Sequence, residues 1–173
     1  ETTLAFGRVD EPAPTLNRVN LSQIVNDVID SERLAASDYA LSFAEDIPMT
    51  MNLRADGEQL FRVIFNLVRN ARQAIMATGE PGEIGLIATE DDQSWQLTIT
   101  DTGPGLPKKA QEHLFQPFQG GVRKGGSGLG LVIAADLIRG HGGRLELQRT
   151  DETGTTFIIQ LPKEDAALAP AAE

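Results

Sequence analysis

The chain has 173 residues, of which 40% are hydrophobic and 23% are charged, and its formal net charge is −10. This length and composition fit one soluble globular domain with a sizeable core. The negative charge argues against general nucleic-acid binding, which needs a basic face. The absence of cysteine excludes disulfides, thiol catalysis and cysteine zinc sites. No apolar run is long enough to span a membrane, and the start without Met predicts a piece of a longer protein.

The first half of the chain predicts a linker and two helices. Residues 1–17 include two prolines and predict a linker, and apolar residues then recur at helical spacing over 19–34. An alternating pattern predicts a strand over 39–43. A long helix follows over 56–77, and a glycine and a proline end it.

The second half predicts mostly strands, with one further main helix. In chain order we expect strands 83–89 and 95–100, a glycine turn at 101–107, a short helix at 108–114, a glycine-rich loop at 116–127, a helix ending near 139, and strands 144–149 and 155–161. The final stretch, 163–173, is rich in Ala, Pro and acidic residues and predicts disorder. Because strands and helices come in separate runs, a sheet with helices on one face is expected.

The most informative segment is Lys124-Gly125-Gly126-Ser127-Gly128-Leu129-Gly130-Leu131, which precedes an apolar helical pattern. The first N–H groups of a helix lack partners and carry partial positive charge, and glycines let a phosphate approach them. Arg123 and Lys124 could add charge. The spacing matches neither a Walker A loop nor a clear dinucleotide fingerprint. By itself the run indicates a polyphosphate site about as strongly as it indicates a glycine-rich hinge or helix cap.

Two asparagines, Asn66 and Asn70, lie four residues apart on the long helix and therefore share a side. Asn70 falls at the seam between the polar and apolar faces, where its carbonyl oxygen could ligate Mg²⁺ while partly buried. An isolated pair of this kind is more often simply solvated.

Asp101 ends an apolar strand and enters a tight turn that contains Gly103 and Gly105. Its carboxylate could accept a hydrogen bond from the exocyclic amine of adenine, and the glycines would let the backbone lie against the base. An ordinary Asp turn is the commoner explanation of such a segment taken alone. Thr155 could hydrogen-bond near the base, although a β-branched residue in a strand needs no function.

Taken in order, these blocks resemble the ATP-binding catalytic domain of bacterial sensor histidine kinases, which share a superfamily with gyrase, the MutL repair proteins and the ninety-kilodalton heat-shock chaperone. The matching blocks are Asn66-Leu67-Val68-Arg69-Asn70-Ala71 for the N box, Asp101-Thr102-Gly103-Pro104-Gly105 for the first glycine box, Phe115-Gln116-Pro117-Phe118 for the F box, and Gly126-Ser127-Gly128-Leu129-Gly130-Leu131 for the second, with His141-Gly142-Gly143 after it. The resemblance covers 19–162. The Asn-Ala-Arg-Gln-Ala run looks like the nitrogen-regulation branch.

The resemblance implies an α+β fold of the Bergerat type. This is a two-layer sandwich in which a mixed, mostly antiparallel sheet of about five strands carries about three main helices on one face. The implied division is a linker, or tail of upstream dimerisation helices, at 1–17, the ATP-binding catalytic domain at 18–162, and a disordered C-terminal tail at 163–173.

The resemblance also implies roles for single residues. Asn70 would ligate the Mg²⁺ that bridges the ATP phosphates, and Asp101 would bind the adenine amine. Gly103 and Gly105 would shape the base pocket, with Thr155 supporting the adenine end. The phosphates would be held by Ser127, Gly128, Leu129 and Gly130, with Arg123 and Lys124 approaching from the loop.

Two departures at the N box bear on the chemistry. Many of these kinases carry Lys or Arg three residues after the metal asparagine, where this chain has Gln73, so cation support would come from Arg69, Arg72 or the loop, or would be weaker. Four residues before the metal asparagine, hydrolysing relatives have a general-base Glu. Asn66 cannot accept a proton at neutral pH, which favours phosphoryl transfer over hydrolysis. Asn66 and Asn70 are therefore the candidate catalytic residues.

Neither His113 nor His141 stands in a context like that of a phosphoacceptor histidine. The resemblance therefore implies that the acceptor lies on an upstream His-bearing dimerisation domain, absent from this chain. It also implies a cognate response regulator, no nucleic-acid partner, no direct membrane contact by this part of the protein, and a cytoplasmic location. Alternative hypotheses are an ATPase or a serine-protein kinase of the same fold, or a degenerate docking module without catalysis.

Overall fold

The structure, a computed structural model, describes residues 11–115 and 129–163, with the backbone alone at Leu129. In chain order the elements are β1 (Asn17–Asn20), α1 (Leu21–Ala35), β2 (Leu41–Asp46), β3 (Asn52–Ala55), α2 (Gly57–Thr78), β4 (Gly82–Glu90), β5 (Ser94–Asp101), α3 (Lys108–Glu112), α4 (Leu129–Gly140), β6 (Arg144–Asp151) and β7 (Gly154–Pro162). None of the helices in these ranges is long and apolar enough to cross a membrane.

A five-stranded sheet forms one layer, in the order β2-β4-β5-β7-β6. β2 runs parallel to β4, and the remaining neighbours are antiparallel. The apolar sides of α1, α2 and α4 pack with the inward side chains of the sheet into one core. The predicted two-layer α+β architecture, with three main helices and a mixed sheet, is confirmed.

The α2 helix forms where the sequence predicts it, because both ends are well defined. The side chain of Asp56 caps the N-terminus by accepting from Gln59 N–H at 3.1 Å. Gly79 closes the C-terminus with φ of 74°, a left-handed conformation that favours glycine. The expected core face is buried at Leu60, Ile64, Val68, Ala71 and Ile75.

The structure differs from the sequence predictions in three local features. A small antiparallel ribbon of β1 and β3 was not expected, because each strand has only four residues and its partner lies more than 30 positions away. The strand expected over 39–43 begins later, as β2. The end of α4 was assigned to Gly140, but the left-handed glycine is Gly142, with φ of 79°.

The segment before β1 lies against α2. The carbonyl of Pro12 accepts from Gln59 Nε2 at 3.0 Å, and Thr15 N–H donates to Asp56 Oδ2 at 2.9 Å. Glu11 pairs with Arg62 at 3.1 Å. The described part of the predicted linker thus packs on the helix that carries the candidate site, and the domain boundaries themselves stay a prediction.

Candidate nucleotide-binding site

The candidate site lies along one side of α2. Asn66, Asn70 and Ala74 follow one another at intervals of four, and the eight helical steps from first to last span about 12 Å. At one end, a Cβ atom placed on Gly130 would lie 3.5 Å from Asn66 Oδ1. At the other end, a Cβ atom on Gly103 would lie 3.6 Å from Ala74 Cβ. Asn70 therefore stands between the two glycine segments that the sequence singled out.

The Asn66 carboxamide is held by a neighbour on the same helix. Arg69 Nη2 donates to Asn66 Oδ1 at 3.0 Å. The Arg69 guanidinium lies 5.4 Å from the ring centroid of Phe65, a cation–π distance. Asn66 is half-buried and its oxygen is already engaged.

The Asn70 carboxamide differs from that of Asn66 because no hydrogen-bond partner is found for it within 11–115 and 129–163. It is also half-buried, at the seam between core and surface. These same ranges hold no cluster of three or more His, Asp or Glu side chains that could bind a metal unaided. A single free carboxamide oxygen fits Mg²⁺ that takes its other ligands from phosphates and water.

Asp101 is buried at the end of β5. Burial raises the pKa of its carboxyl group, and the backbone N–H groups of Gly103 and Thr155 together with the charge of Arg149 oppose that rise without cancelling it. The Gly103 N–H group donates to Oδ1 at 2.8 Å. Asp101 and Thr155 are directly paired across β5 and β7. The turn thus holds a buried acceptor beside α2.

The turn after Asp101 is fixed by the β6–β7 hairpin. Gly105 has φ of 85°, and a Cβ atom there would lie 2.2 Å from the carbonyl oxygen of Asp151, so only glycine fits. Leu106 N–H donates to Thr150 Oγ1 at 2.8 Å, and that hydroxyl also contacts Thr155 Oγ1 at 2.8 Å. The Thr155 hydroxyl therefore helps to hold the turn, while its predicted support of adenine stays a prediction.

Of the proposed cation sources, Arg72 was a wrong choice. Its guanidinium is paired with the buried carboxylate of Glu32 on α1, and its Nη1 contacts Met76 Sδ at 3.6 Å. At about 100° per residue, Arg72 lies on the opposite side of α2 from Asn70. Gln73 is exposed. Arg69 is the cation of this group that lies beside both Asn66 and Gly130.

The two histidines have different surroundings. His141 is buried: its Nδ1 lies 2.8 Å from Leu137 O, and its Nε2 accepts from Asp56 N–H at 3.0 Å. It therefore joins the end of α4 to the start of α2. His113 is exposed and follows the five-residue helix α3.

Several predicted phosphate contacts lie outside the described residues: Arg123, Lys124, Ser127 and Gly128. Leu129 is the first residue of α4. From the F box, Phe115 packs edge-on against Phe157 with ring centroids 6.4 Å apart, as expected of an anchor or a core contact. The rest of that block is outside the described ranges.

Sequence reasoning did not find the contact of Arg69 with Asn66 or that of His141 with Asp56. The Arg69 contacts follow from i−3 and i−4 spacing to Asn66 and Phe65, so this signal was present in the sequence. The His141 contact to Asp56 joins residues 85 positions apart, and nothing local signals it.

Fold and site together define a two-layer α+β domain in which the Gly103 turn and the start of α4 flank one long helix. Residues 55–165 match the family described as histidine kinase-, DNA gyrase B-, and HSP90-like ATPase, and the chain belongs to that family.

Relatives and a solved structure narrow the class. The chain is 34% identical over 111 residues to sporulation kinase A of Bacillus subtilis, which is 64% of this chain and 18% of that protein. It is 35% identical over 123 residues to the alginate biosynthesis sensor protein KinB of Pseudomonas aeruginosa, which is 70% of this chain and 20% of that protein. The nucleotide-free catalytic domain of histidine kinase ThkA superposes with a TM-score of 0.73 at 28% identity, covering 86% of this chain and 98% of that one.

The chain thus spans about a fifth of the length of these two curated relatives and nearly the whole of a solved catalytic domain. It is an ATP-binding catalytic domain of the sensor histidine kinase type, which confirms the predicted class. The nitrogen-regulation branch stays a prediction.

Proposed function

We propose that this domain binds ATP with Mg²⁺ and transfers the terminal phosphoryl group to a histidine on a separate helical domain. The observation that carries the proposal is the placement of Asn70, whose carboxamide has no hydrogen-bond partner among the described residues, between the Gly103 turn and the start of α4. Three features would follow one another along α2: a turn that binds the base, a metal ligand, and the phosphate-binding start of a helix. Their order and spacing match the length of a nucleoside triphosphate.

The proposal assigns the following residues to Mg²⁺ and ATP. The Asn70 oxygen would ligate Mg²⁺, which when bound neutralises phosphate charge. Asp101 would accept from the adenine amine. The first N–H groups of α4 would donate hydrogen bonds to phosphate oxygens. Further contacts to the phosphates would come from Arg123, Lys124, Ser127 and Gly128.

The site favours transfer over hydrolysis. A hydrolase needs a base to activate water, but Asn66 cannot take a proton and its oxygen already accepts from Arg69. In the transfer step, the bond from the terminal phosphorus to the bridging oxygen breaks and ADP leaves. A nitrogen–phosphorus bond forms at an imidazole, whose nitrogen-bound proton is lost to solvent. Such a step depends mainly on positioning and charge neutralisation.

The acceptor is proposed to lie outside this domain. His141 is buried with both ring nitrogens in contact with backbone groups, and His113 is exposed and follows the five-residue helix α3. A His-bearing dimerisation domain and, downstream of it, a cognate response regulator are the proposed partners, and the proposed location is cytoplasmic.

A phosphotransfer assay tests the proposal. The chain is incubated with Mg²⁺ and ATP labelled at the terminal phosphate, alone and with a purified helical hairpin that bears a phosphoacceptor histidine. We expect label on the hairpin that is lost in acid, and negligible phosphate release by the chain alone. Steady phosphate release that disappears on changing Asn66 would indicate an ATPase, and acid-stable label would indicate a serine kinase.

A further inference from the structure

We propose that Arg69 is the positioning residue for Asn66, fixing its carboxamide as a hydrogen-bond donor to the terminal phosphate of ATP. The inference rests on the proposed function, because it assigns a role within the same site. It gives the two asparagines different roles: the Asn70 side-chain oxygen ligates the metal, and the Asn66 NH₂ group donates to the phosphate.

The orientation of the Asn66 carboxamide follows from hydrogen-bond chemistry. A guanidinium carries only donors, so the atom that meets Arg69 Nη2 at 3.0 Å must be the amide oxygen. The Nδ2 group, with its two N–H donors, has no partner in the described part of the chain. Asn66 is therefore preset as a donor, which is what a phosphate oxygen requires.

Arg69 is itself held in place. Its guanidinium lies over the Phe65 ring, and Phe65 is stacked on Phe61 with centroids 5.9 Å apart and planes inclined by 9°. Its Nε atom is buried and has no hydrogen-bond partner among the described residues. The side chain is thus fixed by packing, so it can hold the asparagine at little further entropic cost.

The side chains of Asn66 and Arg69 lie where the phosphate charge of ATP is expected. A Cβ atom on Gly130 would be 3.5 Å from Asn66 Oδ1 and 3.7 Å from Arg69 Nη2. Gly130 is the second residue of α4, a twelve-residue helix whose start favours anions. Of the N-box side chains, Asn66 is the one nearest this helix start, so it meets the phosphates and not the base.

The matched experiment compares ATP and ADP, which differ only in the terminal phosphate. Each is titrated with Mg²⁺ into the wild-type chain, Asn66→Ala, Arg69→Met and the double variant, with thermal unfolding as a check on folding. Arg69→Met keeps the apolar stem against Phe65 but loses every donor. Arg62→Met, on the same helix and paired with Glu11, is the control.

We expect Asn66→Ala and Arg69→Met each to lower the ATP-over-ADP preference by about tenfold, with little change in ADP affinity. Because Arg69 acts through Asn66, the double variant should match Asn66→Ala within about twofold. Asn66→Asp, which keeps an acceptor for Arg69 but lacks the donor, should lose the preference as well. Arg62→Met should retain it.

Any other result would contradict a specific part of this proposal. Additive losses in the double variant would show that Arg69 contacts phosphate independently, and equal losses for ATP and ADP would remove the terminal phosphate from the proposal. An Asn66→Asp chain with the wild-type preference would overturn the donor role. Failure of the wild-type chain to bind either nucleotide would overturn the proposed function together with this inference, whereas binding with an unaltered preference in Arg69→Met would overturn this inference alone.

Discussion

At the residue scale, Asp101 combines burial with a proposed role, binding of the adenine amine, that needs a negative charge. Its raised pKa means that the folded state binds the proton more tightly than the unfolded chain does. The contribution of this group to stability is therefore present below the unfolded pKa and is lost as pH rises through the folded pKa. Nucleotide binding runs in the opposite direction, because the ionised carboxylate is the better acceptor for the adenine amine.

We predict that ATP affinity falls on acidification at a higher pH than the usual range of an aspartate. Titration of ATP at a series of pH values measures the fall, and carboxyl NMR of Asp101 reports its ionisation directly. Asp101→Asn should bind weakly throughout and lack that step. Affinity that stays flat until the usual aspartate range would contradict the role given to Asp101.

A second residue-scale prediction concerns Gly105. Gly105→Ala should lower the free energy of unfolding by about 2 kcal/mol or more, because the methyl group meets the Asp151 carbonyl and the backbone is left-handed. Gly79→Ala is the matched control, since its φ is also positive but no atom lies within 4 Å of the added Cβ, and about 1 kcal/mol is expected. Denaturant unfolding measures both, and equal losses would show that the hairpin does not fix the turn.

At the scale of elements, α1 and α2 are joined by a buried ion pair. Glu32 is 2% exposed and pairs with Arg72 across the helix interface. Arg72→Met should destabilise the chain by about 3–5 kcal/mol, because the Glu32 charge stays buried without a partner. Replacing both residues by Met should restore most of that loss.

Unfolding midpoints in denaturant measure the loss of stability, and titration with ATP shows whether nucleotide binding changes as well. ATP affinity should stay unchanged in the folded double variant, because Arg72 lies away from the site. A loss of ATP affinity without a loss of stability would instead indicate that the Arg72 guanidinium interacts with the ATP phosphates.

A further element-scale prediction concerns the joint between α2 and α4. His141→Ala leaves the Asp56 N–H group and the Leu137 carbonyl without their side-chain partner, and we expect a loss of about 2 kcal/mol or more in the free energy of unfolding. His141→Gln, whose oxygen can accept from the Asp56 N–H group, should recover part of the loss. Wild-type stability in His141→Ala would contradict the proposed joint.

Elements with strong local signals were predictable from the sequence, and those that depend on distant partners were not. The α2 helix has an apolar face, an Asp cap and a closing glycine within its own residues, so its bounds could be predicted closely. The β1–β3 ribbon has four residues in each strand and exists only because the two segments meet. The same holds within the candidate site: Asn70 and Asp101 could be proposed from their motifs, whereas the Arg72 partner comes from α1, 40 residues earlier.

At the scale of the whole molecule, the sheet and α2 together hold the Gly103 turn and the start of α4 at a fixed separation. The Gly103 turn is anchored by β5, β7 and the Thr150 hydroxyl, and α4 is anchored by its packing on α2 and by His141. A ligand that contacts both segments should stabilise the fold, because it binds the folded state and not the unfolded chain. That coupling makes nucleotide binding measurable on this domain without any partner.

The most direct test is calorimetric titration of ATP into the chain, with and without Mg²⁺, for wild type, Asn70→Ala and Asp101→Ala. The wild-type chain should bind ATP more tightly when Mg²⁺ is present. Asn70→Ala should lose the Mg²⁺ dependence but keep residual binding, and Asp101→Ala should lose affinity for ATP in both conditions. No binding of ATP by the folded wild-type chain at millimolar concentration, or full Mg²⁺ dependence in Asn70→Ala, would contradict the single site along α2.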